Sequence, residues 1–283
     1  MSARAVRVLH LSDIHCGYAF VPDHVAAAEA LAAAMSRESG SLDAIVVSGD
    51  LSQRARAHEF RKARGVLDRF RAIAPLIVVP GNHDTQWWQA PFGLGQRSRL
   101  HARWREIIAE ETEPTLRVPG VSLIGMNSSA GMLPHALTWN ARDWRVKGGL
   151  TRAQLDFARE RLAQSAPGDL RILVLHHNLV RGRLSRRWGL TRPLHMIDEL
   201  SALGAHVVCA GHDHEERVEQ LRSTRGAVVS STANTLSSRV RGHRAVALNV
   251  IEGNATSLTI TVWSYDAGSR VFVAGVPQSF ARS

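Results

Sequence analysis

The amino-acid sequence predicts an α/β fold in which a second, more antiparallel sheet packs on the first. Up to residue 210, short runs rich in Val, Ile and Leu alternate with helical patterns, as is typical of α/β proteins. After residue 226 the helical patterns stop, and strand-like runs follow one another with short turns between them. The sequence has no internal repeat and no Gly/Ser linker, so we expect a single domain over residues 1–283.

Local signals define the individual elements. The helix at residues 151–164 begins with a capping box formed by Thr151 and Gln154, and Asp23 is the predicted N-cap of the first helix. Helices are predicted at residues 23–37, 57–70, 151–164 and 194–203. Strands are predicted at residues 6–11, 44–48, 76–79, 122–126, 171–175, 206–210, 227–231, 245–251, 257–263 and 270–274.

Composition excludes several classes of protein. The 283 residues are 45% hydrophobic, which is ordinary for a globular protein with a sizeable core. No apolar run approaches the length of a membrane span, and no basic and apolar leader precedes the first strand, which predicts a cytoplasmic protein. Two cysteines, Cys16 and Cys209, are too few for a disulfide framework, and we expect both to serve packing.

The chain is strongly basic, with a net charge of +10 and a calculated isoelectric point of 11.1. Such a charge is compatible with a nucleic-acid partner. However, only Lys62 and Lys147 are lysines, so arginine supplies nearly all of the positive charge. This pattern indicates a general preference for arginine at surface positions, and nucleic acid is therefore the less favoured partner.

Five polar clusters follow predicted strands, at the points where those strands end. Because the carboxyl ends of neighbouring parallel strands converge on one crevice, we expect these side chains to meet there. Carboxylates, imidazoles and an amide oxygen suit a pair of metal ions about 3.5–4 Å apart, which can clamp the oxygens of a phosphate ester. Each cluster alone is weak evidence, but the set predicts a binuclear metallohydrolase. The clusters are Asp13-Ile14-His15, Gly49-Asp50, Gly81-Asn82-His83-Asp84, His176-His177 and Gly211-His212-Asp213-His214.

The spacing within the clusters also suits a metal site. Asp13 and His15 are two residues apart, so an extended chain would point both side chains to the same side. The last cluster repeats this spacing after its glycine. Gly49 and Gly81 allow tight turns and a close approach of the backbone to the ions.

These motifs resemble the pattern of the calcineurin-like metallophosphoesterase superfamily, which is Asp-x-His, Gly-Asp, Gly-Asn-His-Asp/Glu, a strand-end His and Gly-His-x-His. The resemblance extends from Val6 to about His214. Residues 11–15, 47–52 and 79–84 most resemble bacterial phosphodiesterases of the class III cyclic-nucleotide and glycerophosphodiester type. The resemblance implies a four-layer α/β/β/α sandwich of two mixed β-sheets flanked by helices, with the last strands in the second sheet.

The resemblance also implies which residues hold the metal ions. The ions are expected to be two transition metals drawn from Mn, Fe, Zn, Co and Ni, since the same ligands suit several of these. The implied ligands are Asp13, His15 and His214 for one ion, Asn82, His176 and His212 for the other, and Asp50 as the bridge between them.

Two further residues are implied to support catalysis. His83 is expected to stabilise the transition state or to protonate the leaving oxygen, and Asp84 to orient His83 or its loop. The fourth motif of the family often reads His-x-Pro, whereas Asn178 stands near that turn here. Because of this departure, the choice of His176 over His177 as the ligand stays open.

The resemblance implies hydrolysis of phosphodiester bonds in a small molecule, such as a cyclic nucleotide or a glycerophosphodiester, by a metal-bridging hydroxide. The alternatives are a phosphomonoesterase, a nuclease of the same superfamily, and a scaffold that has lost catalysis. A scaffold should lack ligands, and none is missing. Residues 51–54 lack the aspartate and arginine pattern of protein phosphatases, which argues against a Ser/Thr protein phosphatase.

Three irregular segments, residues 85–99, 128–149 and 181–192, are expected to lie over the site. The tryptophans of the first two either anchor these loops or contact the substrate. The third contains an arginine run from Arg181 to Arg192 that would suit a basic lid. Three later arginines either bind an anionic group of the substrate or lie in a solvated loop; they are Arg239, Arg241 and Arg244.

Overall fold

The computed structural model describes residues 5–37, 42–90, 96–129, 147–186 and 188–282. In these ranges the chain forms two facing β-sheets with helices on their outer faces. The helices are α1 (Pro22–Arg37), α2 (Ala57–Arg71), α3 (Ala102–Ile107), α4 (Arg152–Ala163) and α5 (Pro193–Ser201). The strands are β1 (Val6–Leu11), β2 (Ala44–Val47), β3 (Leu76–Val78), β4 (Thr115–Val118), β5 (Val121–Gly125), β6 (Leu170–Val174), β7 (Val207–Ala210), β8 (Arg217–Ser223), β9 (Gly226–Thr232), β10 (Ala247–Gly253), β11 (Ser257–Asp266), β12 (Val271–Ala274) and β13 (Gln278–Ala281).

Both sheets are mixed. The first has the strand order β12-β11-β10-β1-β2-β3, with β13 also paired to β11. In it β1, β2 and β3 are parallel, and β10 pairs with β1 in antiparallel orientation. The second sheet has the order β4-β5-β6-β7-β9-β8, with a parallel centre and antiparallel edge strands. The predicted four-layer α/β/β/α sandwich of two mixed sheets is confirmed.

The alternation of side chains along the central strands divides the core into three apolar layers. On β1, Leu9 faces α1 and α2, whereas Val8 faces the second sheet. On β6, Ile172 faces the first sheet and Leu173 packs with α4 and α5. A strand with apolar neighbours on both faces reads as a continuous Val/Ile/Leu run, and this is why these strands could be predicted.

The prediction that the last strands form the second sheet is wrong. Only β8 and β9 join that sheet, whereas β10 pairs with β1 and carries β11, β12 and β13 into the first sheet. β10 is buried along almost its whole length, which fits a position inside a sheet rather than at its edge.

Several smaller features complete the comparison with the sequence. Thr151 and Gln154 form the predicted capping box, but α1 begins at Pro22, so Asp23 lies in its first turn and is not the N-cap. The elements α3, β4, β8 and β13 were not predicted.

Cys16 and Cys209 are buried and free, as expected. Within the described ranges, no helix combines the length and the apolar character that a membrane span requires.

Phe60 of α2 anchors the outer helical layer on the first sheet. Its ring is fully buried and meets Trp104 of α3 edge-on, with 6.3 Å between ring centroids. We expect Phe60→Ala to lower the free energy of unfolding by about 3–5 kcal/mol, because the truncation leaves a cavity. Urea denaturation measures the change. The control Leu194→Ala, at a side chain that is 74% exposed, should change it by less than about 0.5 kcal/mol, and equal losses would contradict this packing.

Candidate metal centre

Loops from both sheets converge where the carboxyl ends of β1, β2, β3, β6 and β7 meet. The loops after β1 and β2 run side by side, since the Asp13 amide donates to the Gly49 carbonyl (3.1 Å) and the His15 amide to the Asp50 carbonyl (2.9 Å). In the second sheet, the Gly211 amide donates to the His176 carbonyl (2.9 Å). The five predicted clusters therefore meet at one edge of the sandwich.

Asp13, His15, Asp50 and His214 form a first donor cluster. One donor atom of each lies within 4.8 Å of the others, and all four residues are buried. Nε2 of His214 is 3.0 Å from Oδ1 of Asp13 and 3.2 Å from Nε2 of His15. Ligands that each lie about 2.0–2.1 Å from one ion would be about as far from one another as these donor atoms are.

Asn82, His176 and His212 form a second donor cluster. Oδ1 of Asn82 is 3.1 Å from Nε2 of His176 and 2.9 Å from Nδ1 of His212. The two histidine nitrogens are 3.2 Å apart. An amide oxygen and two imidazole nitrogens at this spacing are a donor set that suits a borderline metal ion.

Asp50 lies between the two clusters. Its Oδ2 is 3.8 Å from Nε2 of His15 in the first cluster and 3.4 Å from Nε2 of His176 in the second. Its Oδ1 accepts a hydrogen bond from the His83 amide (2.8 Å). One carboxylate oxygen thus faces both clusters, which is the position expected of a bridging ligand.

The backbone at these residues is not extended, contrary to the expectation for the i, i+2 pairs. The φ angles are 55° at Asp13, 47° at His15, 50° at Asp50, 72° at His212 and 52° at His214. A left-handed residue with a Cβ costs roughly 1–2 kcal/mol. Five such residues in one place are local strain of the kind that folded proteins concentrate at functional sites.

The two glycines predicted to allow close approach do so. Gly49 has φ 95°, and a Cβ there would lie 2.6 Å from Nδ1 of His176. A Cβ on Gly81 would lie 2.1 Å from Oδ1 of Asp50. Side chains at these positions would therefore displace two of the predicted ligands.

Backbone carbonyls outside the donor clusters fix the orientation of two histidines. Nδ1 of His176 donates to the Ser48 carbonyl (2.8 Å), which leaves Nε2 to face the site. Nδ1 of His214 donates in the same way to the Arg239 carbonyl. Both rings are thus oriented with Nε2 toward the clusters.

The donor set fits metal ions chemically. Oδ2 of Asp13 accepts hydrogen bonds from the Ser12 hydroxyl (2.6 Å) and the His212 amide (3.0 Å), whereas its buried Oδ1 has no hydrogen-bond partner in the described part of the chain. Burial lowers the pKa of His15 to about 4, so its imidazole is neutral. Burial opposes ionisation of Asp13, but His214 and other neighbouring imidazoles hold its pKa well below the usual range. Ionised carboxylates beside neutral imidazoles are typical ligands of transition metals.

His176 shows how strongly the carboxylates favour a cation. Burial is the largest single influence on the pKa of His176 and acts to lower it, yet the charge and hydrogen bond of Asp50, the charge of Asp13 and the Ser48 carbonyl together raise that pKa to about 9. The buried carboxylate thus attracts a proton to a neighbouring imidazole. A bound metal ion would supply the same compensating charge.

The contacts favour His176 over His177 as the ligand. A donor atom of His177 also lies within 4.8 Å of those of His176 and His212. However, Nδ1 of His177 lies 2.9 Å from the hydroxyl oxygen of Ser128, whereas Nε2 of His176 meets the oxygen of Asn82. The ring of His177 packs tilted against that of His212, with centroids 4.6 Å apart.

His83 lies beside the first cluster without joining it. Its ring meets that of His15 edge-on at 4.9 Å between centroids. Nδ1 donates to the Gln53 carbonyl (2.7 Å), and Nε2 accepts from the guanidinium of Arg239 (3.1 Å), because a carbonyl can only accept and a guanidinium can only donate. These partners fix the ring with Nε2 toward Arg239.

Asp84 is fully buried and ties two loops together. Its Oδ1 accepts from the amide (2.7 Å) and the hydroxyl (2.8 Å) of Ser52, and its Oδ2 from the amides of Leu51 (3.1 Å) and Gly81 (2.9 Å). Burial and the charge of Asp50 raise the pKa of Asp84 to about 7. Of the two predicted roles, these contacts support orientation of the loop that carries His83.

A cavity of about 700 Å³ opens beside the site, with Asn82 and His83 in its lining. Trp87 and Trp88 line the same cavity and are 38% and 41% exposed, so both are placed to contact a ligand. Trp139 and Trp144 lie outside the described residues. The other lining residues are Tyr18, Gln53, Arg54, Arg56, Thr85, Arg103 and Arg239.

None of the described residues of the arginine run lines the cavity beside His83. Arg181, Arg183 and Arg186 line a separate cavity of about 540 Å³ together with Trp188. The carboxylate of Glu215 holds this segment by accepting hydrogen bonds from three successive backbone amides, those of residues 183–185. Residue 187 lies outside the described ranges.

Of the three later arginines, one reaches the site. Arg239 contacts His83, as described above. Arg244 pairs with Glu216, and Arg241 lies 3.6 Å from a carboxylate oxygen of Asp213. The last two therefore contact acidic residues within the final histidine cluster (Asp213) or just after it (Glu216).

Sequence reasoning missed several residues that shape the site. Ser12 and Ser48 directly precede motif residues, so their position in the chain was an available signal. Gln53 acts through its backbone carbonyl, which leaves no sequence signal. Tyr18 and Arg103 lie outside the motifs, and only the fold brings them to the cavity.

Removal of the Asp84 carboxylate tests whether this residue anchors the two loops. We expect Asp84→Ala to lower the free energy of unfolding by about 3 kcal/mol or more, because it leaves the buried amides of Leu51, Ser52 and Gly81 without their acceptor. Urea denaturation in the presence of a chelator separates this effect from metal binding. The exposed control Glu160→Ala should change stability by less than about 0.5 kcal/mol, and a similarly small effect of Asp84→Ala would refute the anchoring role.

Comparison with solved structures supports the fold. Purple acid phosphatase PPD1 from yellow lupin seeds superimposes with a TM-score of 0.70 at 12% identity, covering 100% of this chain and 54% of that one. PhoD gives 0.65 at 10% identity, covering 100% and 70%. GAP50, described as the anchor in the inner membrane complex of Plasmodium, gives 0.59 at 12% identity, covering 99% and 90%. Identities this low establish the fold alone, and the same fold serves different roles.

Comparison of the sequence identifies the family. A curated relative, the cAMP/cGMP dual specificity phosphodiesterase of Mycobacterium tuberculosis, is 29% identical over 137 residues, which are 48% of this chain and 36% of that protein. The matched part is thus a minor share of the relative's length. The family model described as calcineurin-like phosphoesterase matches residues 6–216, which include all five motifs. The chain belongs to the calcineurin-like phosphoesterase family.

Proposed function

We propose that this protein is a binuclear metal-dependent phosphodiesterase that acts on a small anionic molecule. The observation that carries the proposal is the position of Asp50, whose Oδ2 faces a histidine of each donor cluster. Asp13, His15 and His214 would hold one ion, and Asn82, His176 and His212 the other. The chemistry that such ions supply is activation of a water nucleophile and neutralisation of charge on the phosphoryl group.

The side chains around the site would orient the substrate and assist the leaving group. The Gln53 carbonyl fixes His83 so that Nε2 faces the guanidinium of Arg239. In our proposal, Arg239 moves from Nε2 to a phosphoryl oxygen when substrate binds. Nε2 of His83, released from Arg239, then takes up a proton from water and transfers it to the departing alkoxide, which returns the ring to its neutral form.

Two findings favour a diester of a small molecule. The cavity of about 700 Å³ beside His83 has room for a substituent beyond the phosphoryl group. The curated relative is a phosphodiesterase of cyclic nucleotides. A catalytically inactive scaffold is disfavoured, because the predicted ligand side chains are present and converge. The predicted cytoplasmic location and single-domain organisation stay predictions.

Paired chromogenic substrates test the reaction class. We expect metal-stripped protein with Mn²⁺ restored to hydrolyse bis(p-nitrophenyl) phosphate faster than p-nitrophenyl phosphate, because the cavity accommodates the second ester group. Release of p-nitrophenolate measures both rates. Faster hydrolysis of the monoester would make the protein a phosphomonoesterase, and no turnover of either with metal bound would favour the scaffold.

Metal titrations test the role of Asp50. We expect Asp50→Asn to weaken binding of both ions by at least about 10-fold, whereas Asp13→Asn should weaken chiefly one, because only Asp50 faces both clusters. Isothermal titration calorimetry with Mn²⁺ measures both sites. Asp23→Asn, at an exposed carboxylate, is the matched control. Two unchanged sites in Asp50→Asn would contradict the bridging role.

Truncation of His83 separates catalysis from metal binding. We expect His83→Ala to lower kcat for the diester by roughly 10²–10⁴-fold, the usual contribution of a positioned proton donor. Metal content, measured by inductively coupled plasma mass spectrometry, should stay as in the wild type, because His83 is not a proposed ligand. The exposed control His58→Ala should keep full activity. Loss of metal from His83→Ala would instead make His83 a ligand.

A further inference from the structure

The cavity beside His83 carries an unbalanced positive charge. Four of the lining residues that the structure describes are arginines, and none of these lining residues is acidic. Like charges on one cavity wall repel one another, and the repulsion is strongest where water is partly excluded. An anionic ligand in the cavity would relieve that repulsion.

Three of these arginines lie apart from the His83 contact. The guanidinium carbon of Arg54 is 5.9 Å from the ring centroid of Tyr18, and that of Arg103 is 6.0 Å from the ring of Trp88. Arg103 also donates to the Ala55 carbonyl (2.9 Å). Neither these two nor Arg56 forms an ion pair with a carboxylate in the described ranges, so their charges are available to a ligand.

A general preference for arginine at surface positions predicts scattered guanidinium groups rather than several on one cavity wall. Some exposed arginines of the outer helices pair with carboxylates, such as Arg64 with Asp68 (3.1 Å) and Arg69 with Glu29 (2.7 Å). The cavity wall has several guanidinium groups and lacks such partners among its lining residues. The difference indicates a surface that is suited to an anion from outside the chain.

The backbone that carries two of these arginines is fixed before any ligand binds. The amides of Arg54 and Arg56 both donate to Oε2 of Glu59, at 2.8 Å and 3.2 Å. The preceding residues of the same loop are held by Asp84, as described above. Donors on a preordered loop lose less conformational entropy when they bind, which favours a true binding site.

We propose that Arg54, Arg56 and Arg103 form a second anion subsite, and that the substrate is a phosphodiester that carries an additional phosphate on one of its ester groups. This inference rests on the proposed phosphodiesterase function. Arg239 contacts His83 and serves the phosphoryl group that reacts, whereas the other three guanidiniums face the substituent. Guanidinium groups match the geometry of phosphate oxygens through paired hydrogen bonds, which is why a phosphate is the ligand we assign.

A matched set of dinucleotides tests the subsite through binding. TpT contains one phosphodiester, and pTpT and TpTp add a phosphate at one end or the other. We expect calorimetry on metal-free wild-type protein to show that one phosphorylated form binds at least about 10-fold more tightly than TpT, because charge-assisted hydrogen bonds to the added phosphate are strong. Equal affinities for all three dinucleotides would overturn the proposal.

A double variant assigns the preference to the arginines. We compare the affinity for the preferred phosphorylated dinucleotide with the affinity for TpT. In Arg54→Gln/Arg56→Gln we expect the ratio of these two affinities to fall toward 1. The control Arg222→Gln/Arg270→Gln removes the same charge at positions that do not line the cavity, and it should retain the ratio. A ratio that survives in the first variant, or is lost equally in both, would refute the assignment.

The proposed function and the subsite fail in different ways. The wild-type protein could hydrolyse bis(p-nitrophenyl) phosphate but bind TpT and its phosphorylated forms with equal affinity. That result would support the proposed function and refute the subsite. The wild-type protein could instead bind a phosphorylated dinucleotide more tightly but hydrolyse no phosphodiester. That result would support the subsite as an anion-binding site and refute the proposed function.

Discussion

Two buried carboxylates, those of Asp13 and Asp50, impose the constraint on which the rest of the site depends. Buried charges are costly unless they are compensated, and here the compensation comes from surrounding imidazoles. The raised pKa of His176 follows from that need. The left-handed backbone at five site residues adds further cost. The stability of the surrounding sandwich has to offset both costs, and bound cations would reduce the first.

The sandwich meets this constraint by joining loops from both sheets. Asp84 ties the loop after β2 to the loop after β3. In the last motif, His212 and His214 face the donor clusters. Asp213 and the following Glu215 are buried on the other side and hold the segment around residues 182–185. The donor atoms therefore belong to a hydrogen-bonded network of loops, and each loop constrains the orientation of the next.

The sequence was sufficient to predict the class of fold and which polar side chains would meet; their role as metal ligands stays a prediction. Each predicted ligand stands in a short motif after an apolar run, and the family resemblance supplied the division into two sets. Local sequence patterns do not indicate which distant strands pair, so the placement of β10 beside β1 was not predicted. The spacing of Asp13 and His15 is compatible with both extended and left-handed backbone, and only the structure distinguishes them. Arg103 reaches the cavity from an element without any motif.

In the proposed function, the carboxylate of Asp50 would join two metal ions. The electron paramagnetic resonance spectrum of the protein loaded with Mn²⁺ tests this most directly, because two ions that share a bridging ligand are magnetically coupled. We expect two bound ions per chain and the spectrum of a coupled pair. A single bound ion, or two ions that give only the spectrum of isolated Mn²⁺, would contradict the proposed bridge.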